Sequence, residues 1–295
     1  MTTLNGLTET LQQIEARVGP AVIGVGHRRG TGSGVLVAKD TAVTNAHNVH
    51  AEQMLVRLHD GSRQEATVVA ADPDGDLAVL QFDSGDIVPV EWVSEDRPAL
   101  GAAVFGLSRS RSGSATRVTF GTVAAVDRGF RGPRNRPISG AFEHTAPLAR
   151  GASGGPVVDA SGALVGINTH RLGEGFYLAL PADQRLRQRV DGLASGQVPE
   201  PRQLGVALAP PHVARRLRAA VGLPERDGLL VQQVFEDTPA AAADLRRGDL
   251  IVAVDGTDVD SVDVLYTALA AQGPTLALRV VRGSDELDVT VTFED

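Results

Sequence analysis

The 295-residue chain contains no cysteine. That absence excludes disulfide bridges, thiolate nucleophiles and cysteine-ligated metals, so a nucleophile must be serine, threonine, lysine or a carboxylate. No run of about 18 consecutive apolar residues occurs, which argues against a helical membrane span. Residues 1–17 also lack the basic start and continuous apolar run of a secretory leader. A full-length chain with this start would be cytoplasmic; one from which a targeting segment had been removed would be periplasmic or extracytoplasmic. Nor is there an excess of positive charge, and a net charge of -8 gives no general reason to bind nucleic acid. One region is locally basic (Arg109, Arg111, Arg117, Arg128, Arg131, Arg134 and Arg136), but no aromatic base platform lies beside it, and it reads as solvated loop. No two of the seven histidines have the spacing of a zinc-binding helix. The glycine run Gly30-Thr31-Gly32-Ser33-Gly34 is not followed by a helix or by Gly-Lys-Ser/Thr, so it reads as a tight turn and not as a phosphate cradle. No cofactor or metal is implied.

What is present suits a strand-rich protein of two domains. Hydrophobic residues make up 42% of the chain, enough for two cores at this length, and the 33 glycines and 16 prolines follow no triplet period. Short apolar segments separated by turns fall at residues 21–25, 33–37, 42–44, 53–58, 66–71 and 77–82. A second set follows at 103–106, 121–126, 142–144, 155–158, 164–168 and 175–180. Two consecutive sets of about six strands, joined near residues 94–101, predict two packed antiparallel barrels. Leu7, Leu11 and Ile14 predict an amphipathic helix over 7–17, and Leu186, Val190 and Leu193 another over 183–194. Residues 195–202 read as a linker between a domain at 1–194 and a second at 203–295. The second domain should hold strands at 205–208, 228–234, 249–256, 276–281 and 287–293, with Leu287, Val289, Val291 and Phe293 on one face, and helices at 211–220, 240–245 and 262–271.

Three short segments carry chemistry. Ser153 lies in Gly151-Ala152-Ser153-Gly154-Gly155-Pro156, where the density of glycine permits a strained turn that exposes the hydroxyl and leaves backbone N–H groups free to face an oxyanion. His47, in Thr44-Asn45-Ala46-His47 at the end of an apolar segment, can accept the serine proton and present its second nitrogen to a carboxylate. Asp76 directly precedes the apolar run Leu77-Ala78-Val79-Leu80 and can be held against the interior, while Asp72 and Asp74 serve an exposed turn. The order His, Asp, Ser is that of the chymotrypsin-like proteases and not of α/β-hydrolases, in which histidine comes last.

On these motifs, together with Gly19-Pro20-Ala21-Val22, Gly166-Ile167-Asn168-Thr169 and the segment from Gly175 to Pro181, the chain resembles the HtrA family of trypsin-like serine proteases with a PDZ domain. The resemblance implies a mostly β protein, a chymotrypsin-like double barrel followed by one PDZ domain. It implies cleavage of unfolded or extended protein substrates with His47 as general base, Asp76 orienting it and Ser153 as nucleophile. Backbone N–H groups of Gly151 and Ser153 would form the oxyanion hole, and Asn168, Thr169 and His170 would pair with the substrate as an edge strand. A loop region including Phe130 and Pro147-Leu148-Ala149-Arg150 would switch between disordered and competent states. Two departures stand out. Ala152 replaces a common Asn without touching the oxyanion donors, and Tyr177 replaces a glycine in the strand lining the specificity pocket. An inward Tyr177 ring would narrow the pocket toward small first-site residues such as Ala or Val; an outward one would change little.

In the carboxy-terminal domain, Gln203-Leu204-Gly205-Val206 matches the loop that holds a peptide's terminal carboxylate, and Val264 or Leu265 would face the groove from a helix. The resemblance thus implies regulation by peptide carboxyl termini, and assembly as a homotrimer, although the aromatic residues often used in that contact are not evident. The competing reading is a catalytically latent or inactive protease-fold scaffold that binds peptides through its PDZ domain.

Overall fold

Where apolar residues recur at short spacing between turns, the backbone can pair its N–H and C=O groups only with other strands, and a sheet that closes on itself leaves no edge. The computed structural model, which describes residues 3–26, 32–93, 98–109, 115–132, 137–173, 175–198, 202–270 and 273–293, shows two such closures. Strands β1 (Val22–Val25), β2 (Gly32–Ala38), β3 (Thr41–Thr44), β4 (Gln53–Arg57), β5 (Arg63–Asp72) and β6 (Leu77–Gln81) form a barrel in the order β1-β2-β3-β6-β5-β4. Strands β7 (Ala103–Arg109), β8 (Thr116–Arg131), β9 (Pro137–His144), β10 (Pro156–Val158), β11 (Leu164–Gly173) and β12 (Phe176–Pro181) close as β10-β11-β12-β9-β8-β7. All pairings in both barrels are antiparallel.

Several strands, among them β5, β7, β8, β9 and β11, are longer than their apolar centres, whereas β15 (Leu250–Val254) and the helix expected at 240–245, observed as Pro239–Ala242, are shorter. β8 extends well beyond residues 121–126 because its outer half is largely exposed, so polar side chains carry no hydrophobic period there although the backbone still pairs with β9. Helix α1 (Thr3–Val18) buries Ile14 and Val18, and α2 (Gln184–Ala194) buries Leu186, Val190 and Leu193. Asp183 caps α2 by accepting the Leu186 amide at 2.9 Å. One apolar core joins these two helices to both barrels, with Ile23, Leu36, Phe105 and Leu164 among its fully or nearly fully buried members.

The basic stretch does not behave as one solvated loop. Arg117, Arg128 and Arg131 are exposed, and Arg111, Arg134 and Arg136 lie outside the described residues. Arg109, by contrast, is 3% exposed. Its guanidinium donates to the carbonyls of Gly19 (2.8 Å) and Val22 (3.0 Å from Nε) and to the Thr116 hydroxyl (2.8 Å), tying α1's end, the first barrel and the second barrel together. Burial lowers its pKa to about 10, opposed by Glu15, so the group remains a cation at neutral pH.

The chain divides into two compact units, Met1–Pro199 and Glu200–Asp295. In the second, β13 (Val206–Ala209), β14 (Leu229–Val234), β15 (Leu250–Val254), β17 (Thr275–Arg282) and β18 (Asp285–Thr292) form a sheet in that order, with the short β16 (Thr257–Asp258) beside β15. Helices α3 (Pro211–Ala220), α4 (Pro239–Ala242) and α5 (Val262–Ala270) complete it. Leu287, Val289 and Val291 pair with Val280, Leu278 and Leu276 and so share a face, but Leu287 lies at its rim and is 38% exposed.

Candidate active site

Each reactive side chain sits at the end of a strand, where the backbone leaves the ladder and can turn. His47 lies in a single 3-10 turn, Ala46–Asn48, directly after β3. Asp76 immediately precedes β6 at φ 52, a left-handed conformation that aspartate tolerates better than most residues, and it is fully buried. The turn before it is organised by Asp72, whose Oδ1 accepts the amides of Asp74 (3.1 Å) and Gly75 (3.0 Å) and whose other oxygen pairs with Arg189 of α2. Asp72 is therefore not the exposed turn residue expected from the sequence; at 5% exposure it is a buried anchor. Ser153 lies between Gly151 (φ 87) and Gly154 (φ 85). Gly154 admits no other residue: a Cβ there would stand 2.2 Å from the Ser33 carbonyl oxygen and 2.4 Å from the Thr44 hydroxyl. The first barrel holds this loop in place, since the Ser153 carbonyl accepts from the Ser33 amide (2.8 Å) and the Asn48 side chain (3.0 Å), and Ser33 Oγ donates to the Gly151 carbonyl (2.8 Å).

Ser153 Oγ lies 2.7 Å from His47 Nε2, and His47 Nδ1 lies 2.8 and 2.9 Å from the two oxygens of Asp76. An ionised carboxylate only accepts, so Nδ1 carries the proton and Nε2 is left as an acceptor facing the serine. Asp76 also accepts the His47 backbone amide (3.2 Å) and the Thr169 hydroxyl (2.7 Å). Asn45 donates to the Asp76 carbonyl (3.0 Å), and its Oδ1 stands 2.7 Å from Ser153 Oγ. The single serine proton thus has three acceptors in reach, Asn45 Oδ1, His47 Nε2 and, at 2.9 Å, the Thr169 carbonyl. Among the described residues, the amides of Gly151 and Ser153 meet no hydrogen-bond acceptor, which leaves both donors available to an oxyanion.

No local pattern signals the parts played by Asn45 and the Thr169 hydroxyl, because their partners lie far away along the chain. Asn168, expected at an edge that meets substrate, is buried. Its amide donates to the Gly155 carbonyl (2.9 Å), its carbonyl accepts from Gly154 (2.8 Å), and its Oδ1 stands 2.9 Å from His144 Nε2. Thr169 is buried as well, at 8% exposure, and His170 is the member of that trio that is partly exposed. The Tyr177 ring is turned inward, 6% exposed, stacked 5.8 Å from His144 and donating to the Leu148 carbonyl at 3.3 Å. It therefore bridges β12 to the segment that leads into Gly151. Burial depresses the pKa of His144 to about 4, only partly offset by Asn168, so this histidine is neutral at neutral pH.

In the second unit, Gln203 is exposed, whereas Leu204 is 3% exposed and belongs to the core. Gly205, at φ 82, packs on Thr238, where a Cβ would stand 2.2 Å from the threonine Cβ. Val206 starts β13, the terminal strand of the sheet. Of the two α5 candidates, Leu265 is 2% exposed in the core and Val264 is half-buried against the same core.

Comparison with known proteins follows the same division. A family described as "Trypsin-like peptidase domain" matches residues 32–167, and one described as "PDZ domain" matches residues 204–293. "Probable periplasmic serine endoprotease DegP-like" of Halomonas elongata is 32% identical over 91% of this chain and 57% of its own length. "Serine protease HTRA1" of Xenopus tropicalis is 30% identical over 89% of this chain and 59% of its own. The chain thus spans somewhat over half the length of these curated relatives. Among solved structures, "Crystal structure of the serine endoprotease from Yersinia pestis" superposes with a TM-score of 0.71 at 26% identity, covering 96% of both chains. "HtrA-type protease AlgW with decapeptide" shares the fold, with a TM-score of 0.75 at 24% identity over 96% of this chain and 97% of that one. No helix among the described residues is long and apolar enough to cross a membrane.

Proposed function

Because the chain belongs to the HtrA family of trypsin-like serine proteases that carry a PDZ domain, we propose that it is a serine endopeptidase acting on unfolded or extended protein, regulated by peptide carboxyl termini at its second unit. The observation that carries this reading is the continuous Ser153–His47–Asp76 contact, at 2.7 and 2.8 Å. Ser153 Oγ attacks the scissile carbonyl carbon as its proton passes to His47 Nε2, and Asp76 stabilises the imidazolium so formed. The negative charge that develops on the carbonyl oxygen falls to the Gly151 and Ser153 amides. His47 then returns the proton to the leaving amine, and water activated by the same histidine hydrolyses the acyl-enzyme.

An extended substrate suits the site because Thr169 and His170 offer a strand segment beside the nucleophile, and backbone pairing there is indifferent to sequence. In the second unit, the edge strand β13 after the Gly205 loop, with Val264 on α5, suits a peptide that adds as a further strand and ends at the loop amides.

The test is cleavage of unfolded casein at neutral pH by the full chain, by Ser153→Ala, and by the full chain with a peptide ending in hydrophobic residues. Cleavage that disappears in Ser153→Ala and accelerates with peptide is expected. Absence of cleavage with and without peptide would transfer the reading to a latent or inactive peptide-binding scaffold.

A further inference from the structure

Thr169 and His170 are neighbours in sequence, and in a regular strand their side chains would point to opposite faces. Here the register between β11 and β12 shifts. Asn168 pairs with Ala179 and Arg171 with Tyr177, so Thr169 and His170 together stand opposite Leu178 alone. Such a bulge re-aims side chains, and this one turns both toward the triad. Thr169 Oγ1 lies 2.7 Å from Asp76 Oδ2, and His170 Nδ1 lies 3.0 Å from Thr169 Oγ1. The His170 ring meets the His47 ring edge-on at 5.7 Å and lies 4.9 Å from the Phe130 ring.

The direction of each hydrogen bond follows from counting protons. A threonine hydroxyl has one, and an ionised carboxylate has none to give. With Asp76 at 2.7 Å, the Thr169 proton must lie on the Asp76 side, or two oxygen lone pairs would face each other at that distance. Thr169 Oγ1 is then an acceptor toward His170, and His170 must carry its proton on Nδ1. We infer that His170 is a positioning residue for catalysis: its Nδ1–H, held by the β11 bulge, fixes the Thr169 hydroxyl so that the hydroxyl's single proton stays directed at Asp76. The relay of contacts is thereby extended from Ser153, His47 and Asp76 through Thr169 to a second imidazole. Burial holds the pKa of His170 below the ordinary histidine range, with Asp76 opposing and His47 adding to the shift. That shift favours the neutral form of the second ring, the form that adds no repulsion to an imidazolium at His47.

The inference rests on the protease reading, and the experiment separates the two. In the full chain, His170→Asn keeps an N–H donor where Nδ1 stood, and His170→Leu keeps bulk without a donor. His170→Leu should lower kcat by about 3- to 10-fold, the effect of one net hydrogen bond, with KM changed by less than about twofold. His170→Asn should recover most of that loss. Nitrogen-15 correlation spectra of the imidazoles in the full chain should show His170 protonated on Nδ1 and bare on Nε2 at neutral pH. Unchanged kcat in His170→Leu, equal impairment of the two variants, a change confined to KM, or protonation on Nε2 would each overturn the assignment. If the wild-type chain cleaves nothing, the protease reading fails separately and the spectra alone decide.

Discussion

At the scale of single residues, the chemistry depends on where protons can go, and side-chain type settles much of that. Histidine, aspartate and serine in this order, each in a distinctive local motif, are readable without coordinates. The direction of a ring is not. Tyr177 could line a pocket or leave it, and its inward placement follows from contacts with His144 of β9 and with Leu148 in the segment that leads to Gly151. Taken with the protease reading, an aromatic ring occupying the wall beneath the nucleophile loop favours small residues at the first site, such as Ala or Val. Tyr177→Gly should then admit larger apolar residues, improving kcat/KM for a Leu or Phe peptide relative to an Ala peptide by about tenfold or more. Tyr177→Phe, which keeps the ring, should leave the preference as it is. Mapping cleavage sites in one unfolded protein with all three enzymes checks this, and an identical profile for Tyr177→Gly would return the ring to a purely structural role.

At the scale of elements, period and punctuation place strands and helices but understate the length of several strands and miss what joins them. β8 and β11 run past their apolar centres, and the β11 bulge has no signature of its own, because a register shift is a property of two strands and not of one. Arg109 shows the same limit. Its neighbours in sequence are largely polar, so it reads as solvated, yet its buried guanidinium donates to the carbonyls of Gly19 and Val22 at the turn that leads from α1 into β1. A hydrogen bond from a charged donor contributes about 1.5–3 kcal/mol. Arg109→Met should therefore lower the Tm of the first unit by roughly 5 °C or more, whereas Arg117→Met, at an exposed position, should leave it within about 1 °C. Differential scanning calorimetry of the two variants makes the comparison, and coincident melting curves would show that Arg109 anchors nothing.

At the scale of the whole molecule, two compact units follow one another, and the core of the second is built from its own residues, among them Leu229, Ile251, Leu278, Val280 and Val291. A unit with its own core and a closed set of strand pairings should fold alone. Residues 202–293 expressed separately should give a cooperative thermal transition and dispersed amide spectra. A broad, non-cooperative melt would mean that this unit needs the first in order to fold.

The sequence by itself determined which reactions were available and in what order their residues occur. No cysteine was present to attack, Ser153 lay in a glycine-rich turn with a histidine and an aspartate ahead of it in the chain, and apolar segments too short for most helices left strands as the way to pair the backbone. Composition and local pattern suffice there because turn conformation, strand faces and side-chain acidity are properties of a few consecutive residues. Tertiary structure alone decided which groups meet. His47 and Ser153 are 106 positions apart, Asp76 and Thr169 are 93 apart, and their contacts depend on two barrels closing against a shared core. A periodic pattern says that a side chain faces inward, but not what it faces, and so Asn45, Thr169, His170 and Arg109 acquired their roles only when the chain folded.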